Sequence, residues 1–283
     1  MDVRQLTYFL AVVDHGGFTR AAEHLIIAQP SLSQTIKGLE RELGVSLFHR
    51  IGRRVVLSEA GHELLGPARL VVRDLEAARS AVDNLRGVRS GRLDMIAMPS
   101  PGIEPLTSMI AAYARAHPAV TLNVDAAFTA EEVLDSVRTG GAEIGILGTK
   151  TPFKSADVQV LQLEQQPLVL IVAPGTDAFD GADTIHPKDL AGHRIVASQQ
   201  GSLMRLMVDD TLAHGVPLQI VAEVAHRTSV LPLVLAGVGH AVMPSSWTPL
   251  AHQAGLRVVQ ISPTTSLHVA VISRPEHVTP AAK

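Results

Sequence analysis

The sequence predicts an α/β protein in three parts: a small, mostly helical head, one long helix, and a body of two α/β lobes facing a cleft. Three observations carry this. Up to residue 57, apolar residues recur at steps of three and four in short segments, and the last segment looks like a hairpin. From Leu64 to Leu85 they recur at steps of four and three without a break. From residue 90 onward, strand-like runs alternate with helical stretches, the rhythm of parallel βαβ units. The expected boundaries are 1–58 for the head, 59–88 for the long helix and 89–283 for the body. Within the body, one lobe takes about 91–160 plus 267–283, and the other about 161–266.

In the head, "VRQLTYFLAVVDHG" puts Leu6, Phe9, Leu10 and Val13 on one helical face, and Gly16-Gly17 stops it. Thr19 is placed to N-cap a short helix, "RAAEHL". Pro30 sits where a first turn tolerates proline, because its missing N–H would have had no partner. Leu32, Ile36, Leu39 and Leu43 form the next inward stripe, ended by Gly44. "SLFHRIGRRVVL" reads as a β-hairpin turning near Gly52, with basic residues at its tip.

The long helix carries Leu64, Ala68, Val71, Leu75, Ala78, Val82 and Leu85 as one heptad seam. Nothing nearby in sequence would cover that seam, so a helix from a second subunit is the expected cover, against the plainer alternative of packing on its own domain. Pro67 should kink this helix or mark a late start. In the body, "RLDMIAM", "VTLNVD" and "EIGILG" are strands separated by helices near 104–116 and 130–139. A second set begins at "VQVLQLEQQPLVLIVAP" and runs through "RIVAS", "LQIVAEV", "HAVMP" and "LRVVQI", with helices at 202–213 and 229–237. The final "SLHVAVIS" is expected to return to the first set.

Composition narrows the function. Apolar residues make up 46% of the 283, enough for a core, and charged residues only 18%. The formal charge of −3 is unevenly spread: residues 1–58 hold seven Lys/Arg against five Asp/Glu, or +2, leaving −5 for the rest. A basic head on an acidic body hints at nucleic acid. The chain has no cysteine, which excludes disulfides and thiolate sites. No leader and no apolar run of membrane-spanning length is visible, so a cytoplasmic, non-membrane protein is expected. Thirteen histidines invite a metal reading, but His186 and His193 are the closest pair and no HExxH occurs. No nucleophile elbow, P-loop or dinucleotide fingerprint appears, so neither catalytic nor metal residues nor a cofactor is assigned.

The stretch "AQPSLSQTIKGLE" stands out. At 100° per residue, Leu32, Ile36 and Leu39 share one side, while Pro30, Ser33, Gln34, Lys37 and Arg41 share the other. That face offers hydroxyl, amide and two bases, the groups that read base edges and phosphates when a helix enters the major groove. An ordinary solvated face remains the alternative on spacing alone.

The order and spacing of "FTRAAEHL", "AQPSLSQTIKGLE", "ELGVSLFHR" and "LSEAG" resemble the winged helix-turn-helix of the LysR-type transcriptional regulators. "AEIGILG" and "LAGVGHAVMP" resemble landmarks of that family's effector domain. Ser58 stands where the family more often has Thr, and "RPEHVTPAAK" stands where members usually continue into a final helix. The resemblance implies an N-terminal all-α winged helix-turn-helix, a linker helix and a two-lobed, periplasmic-binding-protein-like effector domain. It implies Thr19, Gln29, Pro30, Ser31, Ser33, Gln34 and Lys37 at DNA-reading positions, with Arg50, Arg53 and Arg54 as wing and backbone contacts. The implied partners are double-stranded DNA with an interrupted inverted repeat, a small polar or anionic effector, RNA polymerase, and further copies of the chain as a homodimer or homotetramer.

Small polar residues recur at strand-to-helix junctions: Ser100, Thr129 with Glu132 at capping-box spacing, Ser202, and Thr228 or Ser229 in "HRTSVL". Such junctions line the cleft of open α/β lobes, where helix N-termini favour anions. Plain capping is the alternative for each one. By the resemblance, Ser100, Thr129 and Ser202 align best with effector positions, followed by Gly148, His226 and Thr228. Two rival classes remain: a solute-binding protein, which would leave the basic head unexplained, and an α/β enzyme, for which no constellation is found.

Overall fold

A computed structural model describes the chain except for Arg53, residues 86–90, 276, 277, 280 and 283; for residues 80–85 it describes the backbone alone. The head comprises α1 (Val3–Asp14), α2 (Phe18–His24), α3 (Gln29–Leu43) and the antiparallel hairpin β1 (Phe48–Ile51) and β2 (Arg54–Leu57). Phe9, Leu32, Ile36, Leu39 and Leu47 form its fully buried centre, as the apolar stripes require. Phe48 sets its ring against Phe9 at 5.4 Å and Phe18 at 5.6 Å, which fixes the hairpin to the helices. Glu40 accepts the Leu47 N–H at 2.8 Å and ties the end of α3 to the same hairpin.

Two local expectations fail. Thr19 does not cap α2; Gly17 does, at φ 144°, a value only glycine adopts easily, and Thr19 lies one residue inside the helix. Leu43 is 37% exposed, because the last turn of α3 runs past the core its earlier turns cover.

α4 (Glu59–Leu85) is continuous through Pro67, so the late start is not seen. Ser58 starts it: the hydroxyl donates to the Ser46 carbonyl at 2.6 Å and accepts the Gly61 N–H at 3.0 Å. Its seam divides. Leu64 and Ala68 pack on the head of their own chain, which corrects their assignment to a partner helix. Val71 is 44% exposed, Ala78 exposed and Leu75 half-buried. The side chains of Val82 and Leu85 lie outside the described residues.

The body runs β3 (Gly91–Ala97), α5 (Pro99–Ile103), α6 (Leu106–Ala116), β4 (Val120–Ala126), α7 (Ala130–Arg138), β5 (Ile144–Thr149) and β6 (Gln159–Val172). It continues with β7 (Thr184–Ile185), β8 (Arg194–Ser198), α8 (Leu203–Ala213), β9 (Gln219–Val224) and α9 (Val230–Leu235). The last elements are β10 (Ala241–Pro244), α10 (Thr248–Gln253), β11 (Arg257–Ile261) and β12 (Ser266–Ser273). The main sheet is ordered β4-β3-β5-β12-β6-β11-β7, with β10 also on β6, and β8-β9 pair separately. β3, β4 and β5 are parallel, as the alternating rhythm predicts. β12 returns to this first set, as expected, and pairs antiparallel with β5.

The lobe boundary moves. β6 pairs with β12 from Gln159 to Pro167, and with β10 and β11 only from Leu168 onward. The first lobe therefore extends to about Pro167 rather than 160. One unbroken strand serves both lobes, so no turn residue marks the crossing. The described part of the tail is held on the first lobe without a helix: Thr279 N–H donates to buried Glu143 at 2.6 Å, and the Tyr113 hydroxyl to the Ala281 carbonyl at 2.7 Å.

Candidate DNA-binding face and effector cleft

The outer face of α3 presents Pro30, Ser31, Gln34, Lys37 and Arg41 to solvent. Gln29 and Ser33 are half-buried on its flank, so Gln34 and Lys37 are the more accessible of the expected reading positions. Beside it, a groove of about 540 Å³ is lined by Thr19, Arg20, Gln29, Arg50 and Arg54, with no carboxylate among the described residues. Three guanidiniums around one concavity suit a phosphate backbone. Arg20 joins this set although the sequence reading did not assign it; its place next to Thr19 was the available signal. Arg53 lies outside the described residues.

Between the lobes lies a cleft of about 330 Å³, lined by Thr129, Gly148, Lys150, Gln199, Ser202 and Arg227 among others. Lys150 and Arg227 give it two cations, and none of its described lining residues is Asp or Glu. Thr129 caps α7 in a full capping box with Glu132, as predicted. Ser202 caps α8, accepting the Arg205 N–H at 3.2 Å. A Cβ at Gly148 would stand 2.8 Å from Leu267, so glycine there serves packing of the wall. Ser100 is fully buried, and its hydroxyl accepts from Arg227 Nη1 at 2.8 Å across the two lobes. Burial pulls the Arg227 guanidinium down to a pKa of about 10. His226 and Thr228 are exposed and do not line the cleft; the residue between them does. Sequence reasoning singled out the run "HRTSVL" but chose its neutral members. An arginine among small junction residues was the legible sign.

One helix connects this cleft to the head. α7 begins at the cleft with Thr129, and Val133 and Val137 on its inner face are fully buried. A Cβ at Gly145 would come within 2.5 Å of Val133, so the helix sits directly on β5. Nine residues span about 13 Å at 1.5 Å each. At the far end, Gly140 takes φ 74° and faces Leu70 of α4, with only 3.0 Å to a Cβ placed there. Arg73 of α4, 8% exposed, reaches the Gly141 carbonyl and Asp94, each at 3.4 Å. Arg69 in turn bonds Asp14 of α1 at 2.9 Å.

Two family descriptions match the chain: "Bacterial regulatory helix-turn-helix protein, lysR family" over residues 3–62 and "LysR substrate binding domain" over residues 86–283. It is 29% identical over 282 residues to the HTH-type transcriptional regulator IlvR of Caulobacter vibrioides, covering 99% of this chain and 94% of that one. It is 28% identical over 250 residues to the RuBisCO operon transcriptional regulator of Allochromatium vinosum, covering 86% and 79%. In fold it resembles a full-length OxyR variant from Pseudomonas aeruginosa, at TM-score 0.72, 24% identity and 97% and 89% coverage. Full-length CbnR complexed with its target DNA is similar at TM-score 0.69 and 25% identity, covering 100% and 96%. Among the described residues, no helix is long and apolar enough to cross a membrane.

Proposed function

Because the chain belongs to the LysR-type family of bacterial transcriptional regulators, we propose that its α3 reads an operator while its inter-lobe cleft takes a small anionic effector that resets the head. The protein is a DNA-binding regulator modulated by a small molecule. The family is one of regulators rather than enzymes. The observation that carries the site assignment is the coincidence of the cleft's two cations with a rigid helix running from that cleft to α4. Gln34 and Lys37 would contact base edges, and Arg20, Arg50 and Arg54 the phosphates. Val71, Leu75 and Ala78, with Val82 and Leu85, would pair with the same helix of a second copy, setting two heads on an interrupted inverted repeat. Membership of the family supports joining of effector domains into a homotetramer, contact with RNA polymerase and a cytoplasmic location.

An effector touching Thr129 would push on the start of α7. Its end abuts Leu70, and Arg73 and Arg69 carry the displacement to α1. Coupling of this kind is reciprocal, so operator DNA should change effector affinity by the same factor. A gel shift with DNA from upstream of the protein's own gene tests the reading. A discrete complex that survives excess random duplex is expected. Complete competition by an equal weight of random duplex would refute sequence-specific recognition.

A further inference from the structure

The cleft does not end at its own walls. A second groove, of about 540 Å³, shares Lys150, Leu203 and Leu206 with it. Its floor is one face of α8: Leu203, Leu206, Met207, Asp210, Thr211 and His214 recur at steps of three and four. Its sides are Pro187 and Lys188 from the second lobe, Lys150 from the first, and the crossing segment Pro263–Thr265. Leu206 is 46% exposed, a large apolar side chain standing where the two concavities meet. The helix thus starts at the cleft, with Ser202 at its N-cap and Arg227 beside it, and carries an apolar track away from it.

Resting on the cleft reading above, we infer that the effector is an organic anion with an extended apolar body, its charged end at Arg227 and the N-terminus of α8, its body laid over Leu206 into the groove along α8. Charge complementarity sets the direction. The described lining of the cleft holds cations and no carboxylate, whereas the groove sets Asp210 beside His214 and opposite Lys188 and His186, a mixed lining, so the anion sits at the cleft end. The apolar side chains between them, Leu203, Leu206 and Met207, are those nearest the cleft. A compact anion would fill the cleft and leave Met207 uncovered. An extended one would cover it.

The test is a calorimetric titration of the full chain with straight-chain and phenyl-substituted carboxylates of increasing length, and with inorganic phosphate. Affinity should rise with each added methylene, by up to about fourfold, and phosphate should bind no better than the shortest carboxylate. Met207→Asn, which touches the groove alone, should flatten the length dependence while leaving the shortest carboxylate within about twofold. Arg227→Gln should weaken every member of the series. Length-independent affinity, or Met207→Asn weakening short and long anions alike, overturns the inference and leaves the cleft reading standing. If carboxylates bind and Arg227→Gln changes none of them, or if no anion binds at all, the cleft reading falls with it.

Discussion

Replacing Arg227 by methionine should make the protein more stable and less responsive at once. The guanidinium is half-buried between the lobes with the Ser100 hydroxyl as its hydrogen-bond partner. Its pKa falls from 12.5 to about 10, and at 1.36 kcal/mol per unit that is about 3 kcal/mol. The shift is downward, so the charged form is disfavoured in the fold; below pH 10 the full cost is present, and it is relieved only as pH rises toward 12.5. Methionine keeps much of the stem's volume and removes the charge. Losing the Ser100 hydrogen bond returns about 1 kcal/mol, leaving a net gain of about 1–2 kcal/mol. For a domain of this size that raises Tm by about 2–6 °C.

The same charge is what an anion would neutralise. Recovering most of 3 kcal/mol corresponds to about 100-fold in affinity, which Arg227→Met should forfeit. Scanning calorimetry with and without a carboxylate ligand reads both effects. A variant that melts below the parent protein, or one that keeps the full ligand-induced rise in Tm, would refute the argument that Arg227 is a desolvated charge awaiting an anion.

Three further outcomes follow from the geometry. Gly140→Ala strains a residue at φ 74° and crowds Leu70; ligand affinity should stay within about twofold while the ligand's effect on operator affinity shrinks, as read by fluorescence anisotropy. Gln34→Ala should weaken operator binding by about 1–3 kcal/mol and leave random duplex unaffected, whereas Arg54→Ala should weaken both and lower the salt slope by about one phosphate contact. His240 is 5% exposed and accepts the Ala173 N–H at Nδ1, at 3.0 Å; burial first, then His193 and Arg257, lower its pKa from 6.5 to about 4. The neutral form is the folded one, so stability is complete above pH 6.5 and lost as pH falls toward 4; urea melts at pH 7 and pH 5 should differ less in His240→Gln than in the parent.

What the sequence made legible was whatever repeats locally. The stripe Leu32, Ile36, Leu39 showed the inner face of α3 because a helix returns each side chain to the same side every 3.6 residues. Thr129 and Glu132 showed a helix start because their bond spans three residues. What stayed hidden was set by distance along the chain. Leu64 and Ala68 obey the heptad as well as Val71 does, yet they face their own head, since the seam's pattern records only that something covers it. Thr129→Val would be a natural probe of the cleft, but Thr129 also closes a capping box, so its loss would cost about 1 kcal/mol of helix stability whether or not a ligand binds. Arg227 separates the two effects, because it caps nothing. Its partner Ser100 lies 127 residues away, a separation that no periodicity reports, and that long contact joins the lobes at the point where an anion would enter.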